Sequence, residues 1–311
     1  MAATVEELAR AEGKVVFHSS MNTEQVQPLV DAFAKKYPYV KPFFYRANGD
    51  HLIQRILTET QAGHYSADTV SSGEFRIQVL KERGLTTYYV PDDSSFYGDG
   101  FKDPEGHWTS VLTIPSSMAY NTRLVSASAA PKRYEDLLYP KWKGKIGVNP
   151  RYGEWYVSLQ RRVGKEKARD FLKKLSAQEP GLHAPSSLLT QLLGAGEFEV
   201  AASVHAHTIA RQKEKGAPID LVFDEPVITF LHLIALLKNA PHPNAGKLFI
   251  NFVLSKEGQT LLRERGAIPA RRDVDNKIFN LKKLRLFPSD PKWANEYEAA
   301  LLEMRAIFGG R

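Results

Sequence analysis

The chain has 311 residues, 42 Lys and Arg against 35 Asp and Glu, a formal net charge of +7 and no cysteine. This length is typical of two domains, and its ordinary shares of hydrophobic and charged residues exclude a disordered or collagen-like chain. The lack of cysteine excludes disulfides, Cys-ligated zinc, iron–sulfur clusters and cysteine nucleophiles. No apolar run reaches the ~18 residues of a transmembrane helix. The basic residues are spread along the chain, so we expect no nucleic-acid partner.

The N-terminal segment MAATVEELARAEGK has neither a basic n-region nor an apolar h-region. It is therefore not expected to be a signal peptide. Two interpretations stay open at this point, a cytosolic protein and a protein whose signal peptide was replaced by an initiator Met.

Strands and helices alternate in the first third of the sequence. Apolar runs predict strands over Lys14–His18, Lys41–Tyr45 and Asp68–Ser71. Helical spacing predicts three helices. The first begins near Asn22 and the second near Asp50, with these residues as caps, and the third begins at Phe75. This pattern implies a parallel sheet with helices on both faces.

Shorter elements in the rest of the sequence indicate a second α/β unit. The predicted extended segments are Trp108–Leu112, Ser117–Asn121, Val200–Ser203, Ile219–Phe223 and Thr229–Leu237. The predicted helices are Tyr134–Leu138, Gly153–Arg162, Lys165–Ala177, Leu188–Leu193, Ala206–Lys215, Asn244–Leu254, Lys256–Glu264 and Lys292–Ile307. Ligands of open parallel sheets bind beyond the carboxyl ends of the strands, near helix N-termini. We therefore look for function at the strand-to-helix junctions.

Signatures of nucleotide binding and of hydrolysis are missing from the sequence. It contains no Walker A, G-x-G-x-x-G, G-x-S-x-G or H-E-x-x-H pattern. We expect no cofactor, and an enzyme remains an alternative only because a spatial triad needs no sequence signature. An H-x-H pair on a strand can grip a metal, but His205 and His207 fall where a strand is predicted to end.

Several segments resemble an extracellular solute-binding protein of an ABC importer. The most specific segments are PKWKGKIG, KNAPHPNAGKLFINFVLSKEGQ and IPAR, the last of which ends at residue 271, near the end of the resembling stretch. With VVFHSSMNTEQVQPLVDAFAKKYP, RANGDHLIQRILTETQAG and others, they follow the family order over residues 14–272. The resemblance is to the ferric-iron-binding-like group, which has the type II periplasmic-binding-protein fold.

The resemblance implies a two-lobed α/β protein with a hinge, each lobe a mixed, mostly parallel sheet flanked by helices. Lobe 1 is expected at residues 1–117 plus about 229–270, and lobe 2 at residues 118–228 plus about 271–311. Such a protein binds a small solute in the interlobe cleft by hinge closure and docks on a membrane permease. The resemblance further implies a non-enzymatic, monomeric, periplasmic protein whose signal peptide is absent from this chain. A ligand-sensing protein of a signalling system remains an alternative.

The iron ligands of that group are not all matched in this sequence. Its members commonly hold Fe(III) with adjacent tyrosines, and that pair falls on Val204 and His205. Its early His falls near Met21, and its early Glu falls near Gly73, one place from Glu74. Because hard cations prefer anionic oxygen ligands, we expect an organic or phosphorylated anion and no metal. The alternative is Fe(III) held atypically by Glu74, His205 and His207.

The candidate ligand-binding residues lie at the predicted junctions. They are Ser19, Ser20, Asn22, Asp50, Ser72, Gly73 and Glu74 in lobe 1, and Arg151, Tyr152, Gly153, His205, His207 and Glu225 in lobe 2. Hydroxyls and N–H groups at helix N-termini bind anions, Arg clamps carboxylate or phosphate, and Tyr can stack on a ligand. Glu225 can instead recognise an ammonium or hydroxyl group. The alternative for each Ser and Asn is a helix cap, and for the lone Arg a solvated surface position.

Overall fold

The computed structural model describes residues 3–276 and 283–309. These residues form two compact units. Unit 1 comprises residues 3–113, 231–276 and 290–294, and unit 2 comprises residues 114–230, 283–289 and 295–309. Within these ranges, no helix has the length and apolar character needed to cross a membrane.

The described chain is mixed α/β. Its helices are α1 (Val5–Glu12), α2 (Thr23–Lys36), α3 (Gly49–Gln61), α4 (Glu74–Glu82), α5 (Gly153–Val163), α6 (Lys165–Ala177), α7 (Ser186–Ala195), α8 (Ala206–Glu214), α9 (Pro243–Leu254), α10 (Lys256–Glu264) and α11 (Ala294–Phe308). Its strands are β1 (Lys14–Ser19), β2 (Lys41–Arg46), β3 (Thr69–Gly73), β4 (Thr109–Asn121), β5 (Ile146–Val148), β6 (Gly181–Leu182), β7 (Val200–His205), β8 (Ile219–Val222), β9 (Val227–Leu236) and β10 (Leu286–Pro288). Short 3-10 helices lie at Ser94–Phe96, Tyr134–Leu138, Pro140–Trp142 and Pro291–Trp293.

The sheet of unit 1 has the strand order β2-β1-β3-β9. The strands β1, β2 and β3 are parallel, and β9 is antiparallel to β3. The register aligns Ser19 of β1 with Arg46 of β2 and with Ser71 of β3. The carboxyl ends of three parallel strands therefore lie at one edge, where α2, α3 and α4 begin. The parallel sheet predicted from the sequence is confirmed.

Helices cover both faces of this sheet, as the sequence predicts. Alternate residues of β9 enter different cores because successive side chains of a strand point to opposite faces. Leu231 and Leu233 belong to the core that includes Ile77 of α4, and Ile234 belongs to the core that includes Phe249 of α9. Each core excludes water from one face of the sheet and fixes the helices that begin at its edge.

The sheet of unit 2 has the strand order β4-β7-β5-β6. β5 is parallel to β6 and β7, β4 is antiparallel to β7 and β8, and β10 lies parallel to the first residues of β9. Leu189 of α7 and Ile209 of α8 pack on Val204 of β7. Within the same unit, Trp155 Nε1 donates a hydrogen bond to the Tyr134 hydroxyl at 3.1 Å. This buried pair joins α5 to the 3-10 helix Tyr134–Leu138.

Some local predictions were wrong, among them the cap of α2, because Asn22 makes no side-chain capping hydrogen bond. β4 is one strand over Thr109–Asn121 rather than two segments, and it continues through Pro115, whose missing N–H removes one possible hydrogen bond. Asp50 does not cap α3, because Asn48 Oδ1 accepts the hydrogen bond from His51 N at 2.9 Å. Tyr134–Leu138 is a 3-10 helix. Helix α1 was not predicted from the sequence. Its N-terminus is capped by Thr4, which forms a capping box with Glu7.

Candidate functional site

Three strand-to-helix junctions of unit 1 meet at the carboxyl edge of its parallel strands. Ser20 Oγ donates a hydrogen bond to Ser72 Oγ at 3.1 Å, which joins the β1–α2 junction to the β3–α4 junction. A Cβ placed on Gly49, the first residue of α3, would lie 2.9 Å from Ser72 Oγ and 2.5 Å from Arg76 Cδ. Gly49 therefore allows a close approach that a larger residue would prevent. We name Ser20, Gly49, Ser72 and Arg76 the junction cluster.

Arg76 supplies a cation to the junction cluster. Its Nε donates a hydrogen bond to Asp50 Oδ1 at 2.8 Å, while the Arg76 side chain is 28% exposed and the Asp50 side chain is 80% exposed. Asp50 therefore orients the guanidinium, and its own role as a solute ligand stays a prediction. The sequence prediction missed Arg76. A usable signal was its position in the first turn of α4, where the helix dipole disfavours a cation.

The helix N-termini at this edge differ in how they are capped. Asn22 and Gly73 precede α2 and α4 without a side-chain capping hydrogen bond. Ser19 is fully buried, and its Oγ accepts a hydrogen bond from Met21 N at 3.1 Å, which stabilises the turn into α2. Backbone N–H groups in the first turn of a helix carry partial positive charge. Together with Arg76, they make this edge suitable for an anion.

Glu74 is the acidic residue at the start of α4. Its side chain is buried, and Oε2 accepts a hydrogen bond from the backbone N–H of Leu231 at 3.1 Å. The carboxylate thus ties the start of α4 to β9. Its role as a metal or solute ligand stays a prediction.

Four rings come together in unit 2, and we name them the ring cluster. Tyr152 and His205 immediately precede α5 and α8, His207 lies in the first turn of α8, and Phe230 lies in β9. The Tyr152 ring centroid lies 5.4 Å from that of His205 and 5.3 Å from that of Phe230. The rings of His205 and His207 are stacked, 5.5 Å apart with an interplanar angle of 21°. The rings at the two junctions therefore form one mostly buried cluster.

The two histidines of the ring cluster are neutral near pH 7. Burial lowers the pKa of His205 to about 4. Burial, helped by the neighbouring His205 and Arg211, lowers the pKa of His207 to about 3. These rings therefore offer stacking and neutral hydrogen bonds rather than positive charge. In the part of the chain that the structure describes, no three His, Asp or Glu side chains are grouped to hold a metal ion.

The other residues predicted in lobe 2 have contacts of their own. Arg151 is exposed, and its backbone N donates to Asn149 Oδ1 at 3.0 Å. Gly153 is buried, and a Cβ there would lie 2.8 Å from the ring of Tyr297. Glu225 Oε2 accepts from the backbone N and Nε of Arg285 at 3.1 and 3.4 Å. Their solute-binding roles stay predictions.

Comparisons with known proteins place the chain among solute-binding proteins. Residues 66–291 match the family described as bacterial extracellular solute-binding protein. A putative 2-aminoethylphosphonate-binding periplasmic protein of Salmonella paratyphi A is 29% identical over 257 residues, which cover 78% of this chain and 73% of the relative. The major ferric iron-binding protein of Neisseria meningitidis serogroup B is 26% identical over 278 residues, which cover 84% of this chain and 82% of the relative.

Solved structures agree on the fold. Iron-bound HitA from Pseudomonas aeruginosa superposes with a TM-score of 0.82 and 20% identity, covering 94% of this chain and 99% of that one. The fold is that of type II periplasmic binding proteins, as the sequence resemblance implies. Proteins of this kind deliver a small solute to a membrane ABC permease. Because the family match extends over residues 66–291, well over half of the chain, the protein belongs to the bacterial extracellular solute-binding proteins.

Proposed function

We propose that the protein is the periplasmic solute-binding component of an ABC importer, and that its solute is a small organic phosphonate or phosphate. The junction cluster is the observation that carries this proposal. It brings the Ser20 and Ser72 hydroxyls and the Arg76 guanidinium together where α2, α3 and α4 begin. Such an arrangement stabilises an anion through hydrogen bonds and helix dipoles together.

A phosphonate or phosphate group suits the junction cluster better than a carboxylate. It has three oxygens, and donors reach the cluster from three separate helix starts and from the side chain of Arg76. Guanidinium binds such groups through parallel hydrogen bonds. The name of the Salmonella relative supports an organic phosphonate as the first compound to test.

The ring cluster supports an organic solute rather than Fe(III). Its histidines are neutral near pH 7 because burial lowers their pKa. A hard ferric ion prefers anionic oxygen ligands, and Val204 stands where the tyrosine pair of ferric binders is expected to begin. Aromatic and neutral imidazole rings instead suit the uncharged part of an organic anion.

The remaining features of the proposal rest on the family. Its members are binding proteins, which supports a protein without catalytic activity, and its relatives are periplasmic or extracellular. We infer a monomer that meets its permease only at the membrane. The alternative role, sensing for a signalling system, would use the same solute site.

Isothermal titration calorimetry can test the proposed solute. The protein, freed of co-purified ligand, is titrated separately with 2-aminoethylphosphonate, inorganic phosphate and ferric citrate. Native mass spectrometry and metal analysis are run on the untreated protein. We expect saturable binding of 2-aminoethylphosphonate at one site per chain and no stoichiometric iron. Stoichiometric iron with no response to either phosphorus compound would overturn the proposal.

A further inference from the structure

His232 is a buried polar residue at the edge of the unit 1 sheet. It lies on β9 directly opposite Gly73, the residue that precedes α4. The residue is only 8% exposed, and Nε2 has no hydrogen-bond partner among residues 3–276 and 283–309. A buried polar atom left without a partner costs free energy, so each such atom in a native protein calls for an explanation.

A second unpaired group lies on the same face of the sheet. Ser71 is opposite Ile234 in the antiparallel register, so its side chain shares a face with Ile234 and His232. Ser71 is fully buried, and its Oγ has no partner within the described ranges either. Two buried polar atoms of neighbouring strands are thus left unpaired beside the N-terminus of α4.

Another buried histidine of unit 1 with an unpaired nitrogen, His18, is placed differently. It is aligned with Val70 of β3, three residues before the end of that strand at Gly73. Its ring packs 5.2 Å from the ring of Tyr45. His232 therefore differs from His18 in its place along β3, since it lies opposite Gly73, the residue that directly precedes α4.

The protonation of His232 decides what its free nitrogen can bind. Burial lowers its pKa to about 4, although a hydrogen bond to the Ser71 backbone favours the protonated form. The ring is therefore neutral near pH 7, with a proton on one nitrogen only. Because Nε2 has no partner among the described residues, the hydrogen bond to the Ser71 backbone involves the other ring nitrogen. That nitrogen then carries the proton, which leaves Nε2 as an acceptor.

We propose that His232 is a further solute-binding residue of unit 1, whose Nε2 accepts a hydrogen bond from a donor group of the solute. This inference rests on the proposed function, in which the junction cluster binds the phosphonate or phosphate. It narrows the solute class to anions that carry an ammonium or hydroxyl group close to phosphorus. Aminoalkylphosphonates and hydroxylated phosphate esters belong to this class, and plain alkylphosphonates do not.

Two matched compounds and one substitution test the role of His232. The wild-type protein and a His232→Phe variant are each titrated with 2-aminoethylphosphonate and with ethylphosphonate, which lacks the ammonium. Phe keeps a planar ring but has no acceptor. We expect the wild type to prefer the amino compound by about tenfold, the scale of one hydrogen bond to a charged group. In His232→Phe the preference should fall to about twofold or less, with little change for ethylphosphonate.

A His232→Gln variant and the melting temperature of the apo protein separate binding from structure. Gln retains an acceptor oxygen and should restore part of the preference. Loss of ethylphosphonate binding in both variants, together with a lower apo melting temperature, would instead mark a structural residue and overturn the inference.

The two proposals can fail separately. If Arg76→Gln weakens binding of both compounds but His232→Phe keeps the full preference, the inference about His232 is wrong and the proposed function stands. If the wild-type protein binds neither phosphonate, the proposed solute is wrong and the inference falls with it.

Discussion

The junction cluster of unit 1 and the ring cluster of unit 2 occupy equivalent places in their sheets but have different chemistry. Both lie where strands end and helices begin. The junction cluster contains hydroxyls and the guanidinium of Arg76, which Asp50 orients. The ring cluster contains four stacked or tilted rings, two of them imidazoles that burial keeps neutral.

This difference predicts that the two clusters respond differently to salt. A guanidinium at helix N-termini attracts any small anion, and that attraction weakens as salt screens it. Neutral rings contribute through contact area and geometry, which salt hardly affects. We therefore expect the contribution of the junction cluster to binding to weaken as salt rises, and that of the ring cluster to stay constant.

The largest expected effect is the loss of the cation of the junction cluster. Arg76→Gln should weaken binding of 2-aminoethylphosphonate by about 10–100-fold, since a hydrogen bond to a charged group contributes about 1.5–3 kcal/mol. Titration calorimetry at two salt concentrations measures this loss of affinity. The affinity of the variant should also depend less on salt than that of the wild type.

Arg83→Gln is the matched control, because Arg83 is an exposed residue at the other end of α4. It should bind as the wild type does. Equal affinities in Arg76→Gln and Arg83→Gln would remove the junction cluster from the solute site.

A smaller effect is expected from the ring cluster. His205→Ala removes the ring that contacts Tyr152, His207 and Phe230. Ring contacts contribute about 1 kcal/mol, so the affinity should fall roughly fivefold. Unlike the effect of Arg76→Gln, this fold-change should be the same at low and high salt. The exposed His64 provides the control variant His64→Ala. A strongly salt-dependent loss of affinity in His205→Ala would contradict the neutral character of the ring cluster.

The smallest effect concerns pH and the stability of the apo protein. His205 and His207 have pKa values of about 4 and about 3 in the folded state, below the ordinary 6.5, because they are buried. The unfolded chain therefore binds more protons than the folded chain as pH falls from about 6.5 towards 4, and the free energy of unfolding decreases over that window.

Calorimetric melting between pH 7 and pH 4.5 measures this decrease. His18 and His232, whose pKa values burial also lowers to about 4, add to it from unit 1. A double variant His205→Gln, His207→Gln should show a shallower fall in melting temperature than the wild type. A melting temperature that stays constant or rises on acidification would show that these rings are not buried as neutral groups.

Local patterns were enough to predict much of unit 1. The apolar runs of β1 and β3 and the helical spacing of α2 indicated the parallel sheet, and its edge located Ser20 and Ser72. Such patterns are contained in short windows of sequence, so they can be recognised without knowledge of tertiary contacts.

Other parts of the site depend on partners far away in the chain. The Arg76 side chain is oriented by Asp50, which lies 26 residues earlier in the chain. Gly49, which has no side chain, leaves the space that Arg76 occupies. His232 meets Gly73 only because β9 pairs with β3 across a long stretch of sequence. Strands as short as β6 and β10 were not predicted, because two or three residues show no periodicity.

The alternation of side chains along β9 has a consequence for how unit 1 unfolds. Leu231, Leu233 and Ala235 of this strand pack in one hydrophobic core, and Ile234 and Leu236 pack in the other. The strand also pairs with β3 through five successive residues. Neither core can open without exposing residues of the strand that also closes the other. We therefore expect the two faces of unit 1 to unfold as a single cooperative unit. The backbone amides of this part of β9 should then exchange with solvent only through global opening.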